Sequence, residues 1–323
     1  MSWIKIKSIL LYSMYSIVVA IIIVEVLLRL FVTPFSTGNG SGIGRKWTEI
    51  YWQPINSDGY RDEEVELRAE NKLVVTIGDS FTAGHGVSVS ETYSALLRKK
   101  LGDTHDIVNL GDNGASTLHE RKNLSKFIGK YKKTPDLIIY QYFGNDISDL
   151  ADVDDCYKLA NPLGRAGRFL SKISYLYGVY DGVFFQNDFS SCYITALKAA
   201  YHNKEKFAIH KKEVKEFVSS MRSENNNIIM IAFPYINNDE VLRISEELYI
   251  ADLRDEFLSF CKSGDRFFDP SPIALNLNIN DRVANFLDAH PSAQLHALVA
   301  DELERLISNA EGKVLVEGTT PCK

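Results

Sequence analysis

The feature that most constrains the fold is an apolar, β-branched run at residues 73–77, which stops at Gly78 and is followed by Ser80. Short apolar runs bounded by glycine are typical of buried strands in a parallel sheet. In open α/β sheets, ligands bind in the crevice beyond the carboxyl ends of the strands. Ser80 therefore lies where a nucleophile would be placed, although Gly-Asp-Ser is also ordinary turn chemistry.

Strand and helix patterns alternate along the rest of the chain, which predicts βαβ units and a mostly parallel sheet. We expect strands at residues 73–77, 106–110, 136–142, 228–233 and 266–268, and helices at residues 91–101, 118–131, 204–224, 240–263 and 291–308. The interval 147–203 is an insertion rich in tyrosine and phenylalanine. Insertions at this edge of a sheet shape substrate pockets, but an aromatic packing subdomain fits the composition equally well.

The amino-terminal segment predicts a membrane anchor. Residues 9–32 are apolar over a length that spans a bilayer as a helix, and Glu25 and Arg29 are spaced to pair on one face of it. Two lysines precede the span, and residues 33–44 carry no charge, so the amino terminus is expected in the cytoplasm and the carboxyl domain outside it. A cleaved signal peptide is the competing interpretation, but the run is long and no small-x-small site follows closely.

The chain is expected to divide into four parts. Residues 1–35 form the cytoplasmic tip and anchor, residues 36–71 a linker and lead-in segment, residues 72–310 the catalytic domain, and residues 311–323 a tail. The Ser/Gly composition of residues 36–44 predicts a flexible linker.

Charge and cysteine spacing limit the partners. The formal net charge of -6 gives no reason to expect a nucleic-acid partner. The four cysteines lack the Cys-x-x-Cys spacing of zinc and redox sites, and we expect no cofactor and no metal. One or two disulfides would form in an oxidising compartment, whereas four free thiols are the alternative, and the sequence leaves the pairing open among Cys156, Cys192, Cys261 and Cys322.

Residues suited to acyl transfer follow several predicted strands. Such chemistry needs a nucleophile, a base, a group that orients the base, and donors for the developing oxyanion. Ser80 is the candidate nucleophile. Gly114 offers a backbone N–H that no side chain obstructs, and Asn145 offers a side-chain N–H, which are the two common kinds of oxyanion donor.

The candidate base is His290, within Asp288-Ala289-His290-Pro291. We expect Pro291 to be the first residue of the closing helix, so that the helix dipole disfavours imidazolium and helps to keep His290 neutral. Asp288 is close enough to orient the ring, although an Asp-x-His before a helix is more often a cap than a catalytic pair. His85 lies in the same turn as Ser80 without an obvious orienting acid and is assigned a surface or packing role.

Four short blocks, in this order, resemble the SGNH (GDSL-type) hydrolases: residues 78–80, residues 109–114 with Gly114, residues 144–146 and residues 288–291. The resemblance covers roughly residues 56–308. It implies a flavodoxin-like α/β/α sandwich in which Ser80 attacks, His290 is the base, Asp288 orients it, and Ser80 N–H, Gly114 N–H and Asn145 form the oxyanion hole. One departure is that the family often has two residues between the acid and the histidine, whereas only Ala289 intervenes here.

The resemblance implies an acyl esterase that cleaves small acyl groups on sugars or lipid esters. Together with the predicted membrane anchor, it favours removal of small acyl groups, such as acetyl, from an extracytoplasmic glycan. Three alternatives stay open: an O-acyltransferase on a cell-surface polysaccharide, a lipase or lysophospholipase with a long apolar groove, and a catalytically silent binding protein with the same fold. The expected partners are an acylated glycan or lipid ester as substrate, and the membrane through the amino-terminal helix.

Overall fold

The computed structural model describes residues 3–37, 41–156, 164–184, 186–223, 225–308 and 318–322. Its strands, in chain order, are β1 (Lys72–Ile77), β2 (His105–Asn109), β3 (Leu137–Phe143), β4 (Asn227–Phe233), β5 (Arg266–Phe268), β6 (Val283–Asn285), β7 (Asp288–Pro291) and β8 (Thr319–Pro321). β6 and β7 form a two-stranded ribbon, and the other strands form one sheet in the order β2-β1-β3-β4-β5-β8.

The central sheet is parallel except at one edge. β2, β1, β3, β4 and β5 run in the same direction, and β8 pairs with β5 antiparallel. Each of the five predicted strands lies within one residue of an observed strand at both ends. The prediction of an α/β fold with a mostly parallel sheet is therefore confirmed.

Helices cover both faces of the sheet and complete a three-layer α/β/α sandwich. In chain order they are α1 (Trp3–Phe31), α2 (Gly42–Tyr51), α3 (Ser80–Ala83), α4 (Tyr93–Leu101), α5 (Thr117–Tyr131), α6 (Gly164–Ile173), α7 (Tyr175–Phe184), α8 (Gln186–His202), α9 (Lys204–Met221), α10 (Asp239–Ser245), α11 (Ala251–Phe260), α12 (Ser271–Leu275), α13 (Ile279–Arg282) and α14 (Ala293–Ser308). Because strand side chains alternate between faces, Val75 and Ile77 pack with α5, α9 and α11, whereas Val74 packs with α4 and α14.

Two predicted helices differ from those observed. The helix predicted at 240–263 is interrupted by a π-helical turn, Glu246–Ile250, between α10 and α11. The closing helix begins at Ala293, because the Ser292 hydroxyl accepts a hydrogen bond from the backbone amide of Leu295 and so caps it. Pro291 is instead the last residue of β7. The prediction that Pro291 starts the helix is wrong.

The segment after α1 is packed rather than flexible. Ser36 is only 1% exposed, and residues 41–44 are also buried. A side-chain carbon on Gly42 would lie 3.1 Å from the carbonyl oxygen of Lys172, and one on Gly178 would lie 2.8 Å from Cβ of Ser41. The small residues of this segment therefore allow close helix packing, which corrects the prediction of a flexible linker for the described residues 36–37 and 41–44.

Two disulfides fasten the outer parts of the domain. Cys156 pairs with Cys192, which joins the start of the 147–203 insertion to α8. Cys261 pairs with Cys322, which fastens the carboxyl-terminal strand β8 beside β5.

The sheet thus extends to residue 321, so the predicted domain boundary at residue 310 is corrected. Residues 157–163, 185 and 309–317 lie outside the described part of the chain.

Helix α1 contains a stretch, Lys5–Phe31, that is long and apolar enough to cross a membrane. None of its most apolar window is buried inside the protein, so it is not a core helix. A signal sequence near an amino terminus has the same length and composition, and the orientation across a membrane is a prediction from the flanking charges alone.

Candidate active site

Ser80 lies in a tight turn between β1 and α3. The Asp79 carboxylate accepts a hydrogen bond of 2.9 Å from the backbone amide of Phe81 and so caps α3. Gly78 is required here, since a side-chain carbon would lie 2.3 Å from Oε1 of Gln141. Ser80 is the first residue of α3, so its backbone N–H is one of those that a helix leaves unpaired.

A chain of hydrogen bonds links this serine to the ribbon formed by β6 and β7. Nε2 of His290 lies 2.9 Å from Oγ of Ser80, and Nδ1 of His290 lies 2.5 Å from Oδ1 of Asp288. Oδ1 of Asp288 also accepts the backbone amide of His290 at 3.2 Å. These distances are those of a nucleophile, a base and an orienting acid.

The carboxylate, rather than a helix end, controls the charge of this histidine. Burial alone would lower the pKa of His290, but the negative charge of Asp288 outweighs burial and raises the pKa above its ordinary value of 6.5. Likewise, burial would raise the pKa of Asp288, but His290 holds that pKa well below its usual range. Because α14 starts only at Ala293, the expected lowering of the His290 pKa by the helix dipole is wrong.

The predicted oxyanion donors lie in different surroundings. Asn145 follows β3, lines the same cavity as Ser80, and interacts with the Asp79 carboxylate. Gly114 has a φ of 72°, which suits glycine, but it is exposed and is not among the residues that line this cavity. Its neighbour Asn113 approaches His85, with 3.3 Å between Nδ2 and Nδ1. The described structure thus brings Ser80, Asn145, Asp288 and His290 together and leaves Gly114 at the margin.

His85 is a site residue that the sequence analysis missed. Its Nε2 lies 3.5 Å from Oδ2 of Asp288, and its ring centroid lies 4.5 Å from that of His290. The ring also packs against Trp47 and Trp52, and burial lowers the pKa of His85 to about 4. His85, Asp288 and His290 lie close enough to hold a metal ion. Both ring nitrogens of His290 are already engaged in the hydrogen-bonded chain, however.

The family model for the GDSL-like lipase/acylhydrolases matches residues 74–303, more than two thirds of the sequence. The chain belongs to this family. It is therefore a GDSL-type hydrolase, as its four sequence blocks predict. A search of the curated proteins finds no match.

Several solved structures resemble this GDSL hydrolase. A lipolytic protein of the G-D-S-L family from Veillonella parvula DSM 2008 is 13% identical, with 74% of this chain and 99% of that chain covered and a TM-score of 0.43. The lipase/acylhydrolase from Enterococcus faecalis is 14% identical over 73% and 95% of the two chains, with a TM-score of 0.43. An acetyl xylan esterase from Geobacillus stearothermophilus is 13% identical over 76% and 97%, with a TM-score of 0.42.

The lead-in segment of this GDSL hydrolase holds the serine turn in place. The guanidinium of Arg61 donates hydrogen bonds to the carbonyl oxygens of Ala83, Gly84 and Val87, at 3.0, 2.5 and 2.6 Å. It lies 4.5 Å from the centroid of the Trp52 ring. Burial makes these hydrogen bonds from the two terminal nitrogens of Arg61 costly to lose, so Arg61 fixes the chain that carries Ser80 and His85. In the sequence, Arg61 ends a turn-like stretch at residues 56–61, and that signal is too weak to indicate this role.

Ser36, five residues after the end of α1, also reaches the site of the hydrolase. Its side chain lies near the Asp288 carboxyl and favours the ionised form of that group. Nδ2 of Asn285 donates to the carbonyl oxygen of Ser36 at 3.0 Å and lies 3.1 Å from its hydroxyl. The backbone of Thr37 lies near the His85 ring. Residues between α1 and α2 therefore contact Asp288 and His85.

Three buried carboxyl groups lie near the serine turn: Asp79, Glu120 and Asp146. Burial raises the pKa of each, and their mutual repulsion raises those of Glu120 and Asp146 further. Neither carboxyl oxygen of Glu120 has a hydrogen-bond partner among the described residues. Burial and mutual repulsion therefore favour the neutral form of these groups more than in exposed carboxyls.

The candidate catalytic groups open into a cavity of about 470 Å³. This volume lies within the range of small-molecule sites. Ser80, Asn145, Asp288 and His290 supply its polar end. The remaining lining is mainly aromatic and aliphatic, from the serine turn, α7, α8, the chain after β4, and the ribbon: Phe81, Phe143, Gly182, Phe189, Tyr193, Ile194, Tyr235, Ile236, Ile279, Val283, Phe286 and Leu287.

Proposed function

We propose that this hydrolase is a serine-dependent acyl esterase. The observation that carries the proposal is the continuous hydrogen-bonded chain from Asp288 through His290 to Ser80. His290 takes the hydroxyl proton at Nε2 while Oγ of Ser80 bonds to the ester carbonyl carbon. Asp288 holds the ring in position and stabilises the imidazolium that forms, which agrees with the raised pKa of His290.

The negative charge that develops on the carbonyl oxygen needs donors that are already in place. We propose the backbone N–H of Ser80, the side-chain N–H of Asn145 and the backbone N–H of Gly114 for this role. When the tetrahedral intermediate collapses, the leaving alkoxide takes the proton from His290, and an acyl group stays on Ser80. His290 then removes a proton from water, which attacks the acyl carbonyl, and the released serine regains its proton.

The proposed location is outside the cytoplasm, with the amino-terminal helix retained as an anchor. Both cysteine pairs are disulfides, which form and persist in oxidising compartments and are rare in the cytosol. Lys5 and Lys7, which precede the apolar run within α1, favour the same orientation. In this arrangement the catalytic domain, from β1 to β8, lies on the outer side of the membrane.

We propose small acyl groups, such as acetyl, on an extracytoplasmic glycan as the substrate. A cavity with four polar site residues at one end suits a compact ester with a larger group outside it. The apolar lining favours a second candidate, the hydrolysis of an ester on a lipid. The two candidates share the same attack on an acyl carbonyl.

The nucleophile is tested with Ser80→Ala and a serine-directed phosphonate. The variant should lose p-nitrophenyl acetate hydrolysis by about 10⁶-fold in kcat, since a serine–histidine unit fails when either member is removed. Mass mapping should place the phosphonate on Ser80 in the wild type. Ser191→Ala is the control, because Ser191 is exposed on α8 and does not line the cavity. Substantial turnover in folded Ser80→Ala, or an adduct elsewhere, would exclude Ser80.

A further inference from the structure

We propose that the hairpin of α6 and α7 docks on the outer surface of the bilayer that α1 spans, and that it turns the cavity toward esters carried by membrane lipids. The second part rests on the proposed esterase function, whereas the docking does not. Below, this pair of helices, residues 164–184, is called the membrane-proximal hairpin.

Two charged residues of α1 fasten the hairpin to the anchor. The Glu25 carboxylate accepts hydrogen bonds from the Ser174 hydroxyl at 2.8 Å and from the first two backbone amides of α7, both at 3.0 Å. Arg29 pairs with Glu25 at 2.7 Å, donates to the carbonyl oxygen of Ile173, and lies 4.7 Å from the centroid of the Tyr175 ring. The charges that interrupt the apolar helix thus satisfy the polar groups where α6 ends and α7 begins.

Helix geometry places this junction at a membrane surface. A helix rises about 1.5 Å per residue, so roughly 20 residues cross a hydrocarbon core of ~30 Å. Counted from Lys7, the last lysine before the apolar run, the crossing ends close to residue 27. Glu25 and Arg29 lie on either side of that position. The hairpin that they hold therefore lies at the level of the lipid headgroups and upper acyl chains.

The composition of the hairpin fits that position. Phe169 and Phe184 are 63% and 62% exposed, with further exposed apolar side chains at Leu170, Ile173 and Val183. Residues 164–184 carry three basic residues and one acidic residue, in a chain whose net charge is -6. Aromatic and aliphatic side chains beside basic residues are typical of helices that lie in the membrane interface. Positive charge also attracts anionic lipid headgroups.

The hairpin is continuous with the rim of the catalytic cavity. Gly182 of α7 lines the cavity directly before the exposed Val183 and Phe184. On the opposite side of the rim, Phe286 lies in the turn between β6 and β7, is 72% exposed and packs against Phe35, with ring centroids 5.7 Å apart. Phe35 follows the anchor in the chain. A docked hairpin would therefore bring the mouth of an apolar cavity to the lipid surface, where an amphiphile can present its ester while its apolar part stays in the bilayer.

Docking is tested on the full-length protein in nanodiscs of phosphatidylcholine and phosphatidylglycerol. All four native cysteines are in disulfides, so Phe169→Cys or Phe184→Cys provides a single thiol for an environment-sensitive nitrobenzoxadiazole label. Both labels should show blue-shifted emission and quenching by lipids that carry a spin label on acyl carbon 5. Lys99→Cys is the control, because Lys99 is exposed in the last turn of α4, which leads to the amino-terminal ends of the strands. If both hairpin labels are as water-exposed as the label at residue 99, the docking is wrong.

The substrate route is tested with hexadecyl acetate in the same nanodiscs and with water-soluble p-nitrophenyl acetate. Phe169→Glu with Phe184→Glu should lower turnover of the embedded ester at least tenfold and leave kcat/KM for the soluble ester unchanged. Equal losses on both esters, or no loss on the embedded one, would show that the docked hairpin does not direct the cavity toward membrane esters. If the wild type hydrolyses neither ester, the esterase proposal and the substrate route fail, while the fluorescence result still decides the docking.

Discussion

The catalytic edge of the sheet and the membrane-proximal layer hold their polar groups in different ways. At the catalytic edge, residues 78–86, 143–146 and 288–290, each functional group sits at or just after a strand. In the membrane-proximal layer, which comprises α1, residues 35–37 and the hairpin, the decisive contacts join distant parts of the chain, such as Glu25 with Ser174. The first region positions single reacting groups, whereas the second places a whole domain relative to one helix.

The two regions also differ in how completely their charged groups are paired. In the membrane-proximal layer, Glu25 is satisfied by Arg29 and by backbone amides. At the catalytic edge, Asp288 is buried against two histidines, and Glu120 has no partner among the described residues. Buried polar groups without full pairing reduce stability. We therefore expect the catalytic edge to be less stable than it would be with fully paired polar groups.

The largest effect in this series is expected for Asp288→Asn. Loss of the orienting carboxylate should lower kcat by roughly 10⁴-fold, because the ring loses its position and its imidazolium loses the nearby charge. In the wild type, kcat/KM should rise with pH through a midpoint above 6.5, since His290 must be neutral and its pKa is raised. The variant's residual activity should titrate at lower pH. Near-normal activity with an unchanged midpoint would mean that another group orients His290.

This assignment shows how far the sequence could predict the site. Ser80, Asn145, Asp288 and His290 were predictable because each lies at or beside the end of a strand or in a short motif. The ribbon of β6 and β7 could not be predicted. The composition of residues 288–291 is that of a helix cap, and their pairing with residues 283–285 depends on the tertiary fold. His85 and Ser36 were missed for the same reason: the acid that they face is distant in sequence. The packing of residues 41–44 against the hairpin could not be predicted either, because glycine and serine are common both in flexible linkers and in close helix contacts.

The second prediction concerns the proposed oxyanion donor Asn145. Asn145→Ala should lower kcat by roughly 10²–10³-fold and change KM little, because the donor acts on charge that develops in the transition state. Steady-state kinetics with p-nitrophenyl acetate separate the two parameters. A rise in KM with unchanged kcat would make Asn145 a substrate-binding group instead.

Ser36→Ala tests the link between the two regions, and its effect should be smaller. The Ser36 hydroxyl lies near the Asp288 carboxyl and favours its ionised form. If its loss raises the activation free energy by about 1.4 kcal/mol, kcat/KM falls roughly tenfold. The readout that distinguishes positioning from packing is the pH profile, whose midpoint should shift because the Asp288 charge that His290 feels is altered. Ser36→Thr keeps the hydroxyl and should restore much of the activity. If Ser36→Ala matches the wild type in both rate and pH midpoint, the segment after the anchor does not support the site.

The smallest effect is expected for Glu120→Gln, and it is on stability. Burial raises the pKa of Glu120 well above its ordinary value of 4.5. The folded state therefore prefers the protonated carboxyl. Its contribution to the free energy of unfolding is fully present below the ordinary pKa of 4.5 and is lost as the pH rises through the raised pKa of the folded state. Glutamine keeps the neutral shape at every pH. Thermal unfolding should show Tm raised by a few degrees at pH 8 and unchanged at pH 4, since ~1 kcal/mol corresponds to about 2–4 °C for a domain of this size. Glu70→Gln, at an exposed position, should leave Tm unchanged at both pH values. A lower Tm for Glu120→Gln at pH 8 would show that the ionised carboxylate has a stabilising partner, and the contrast with the paired Glu25 would no longer hold.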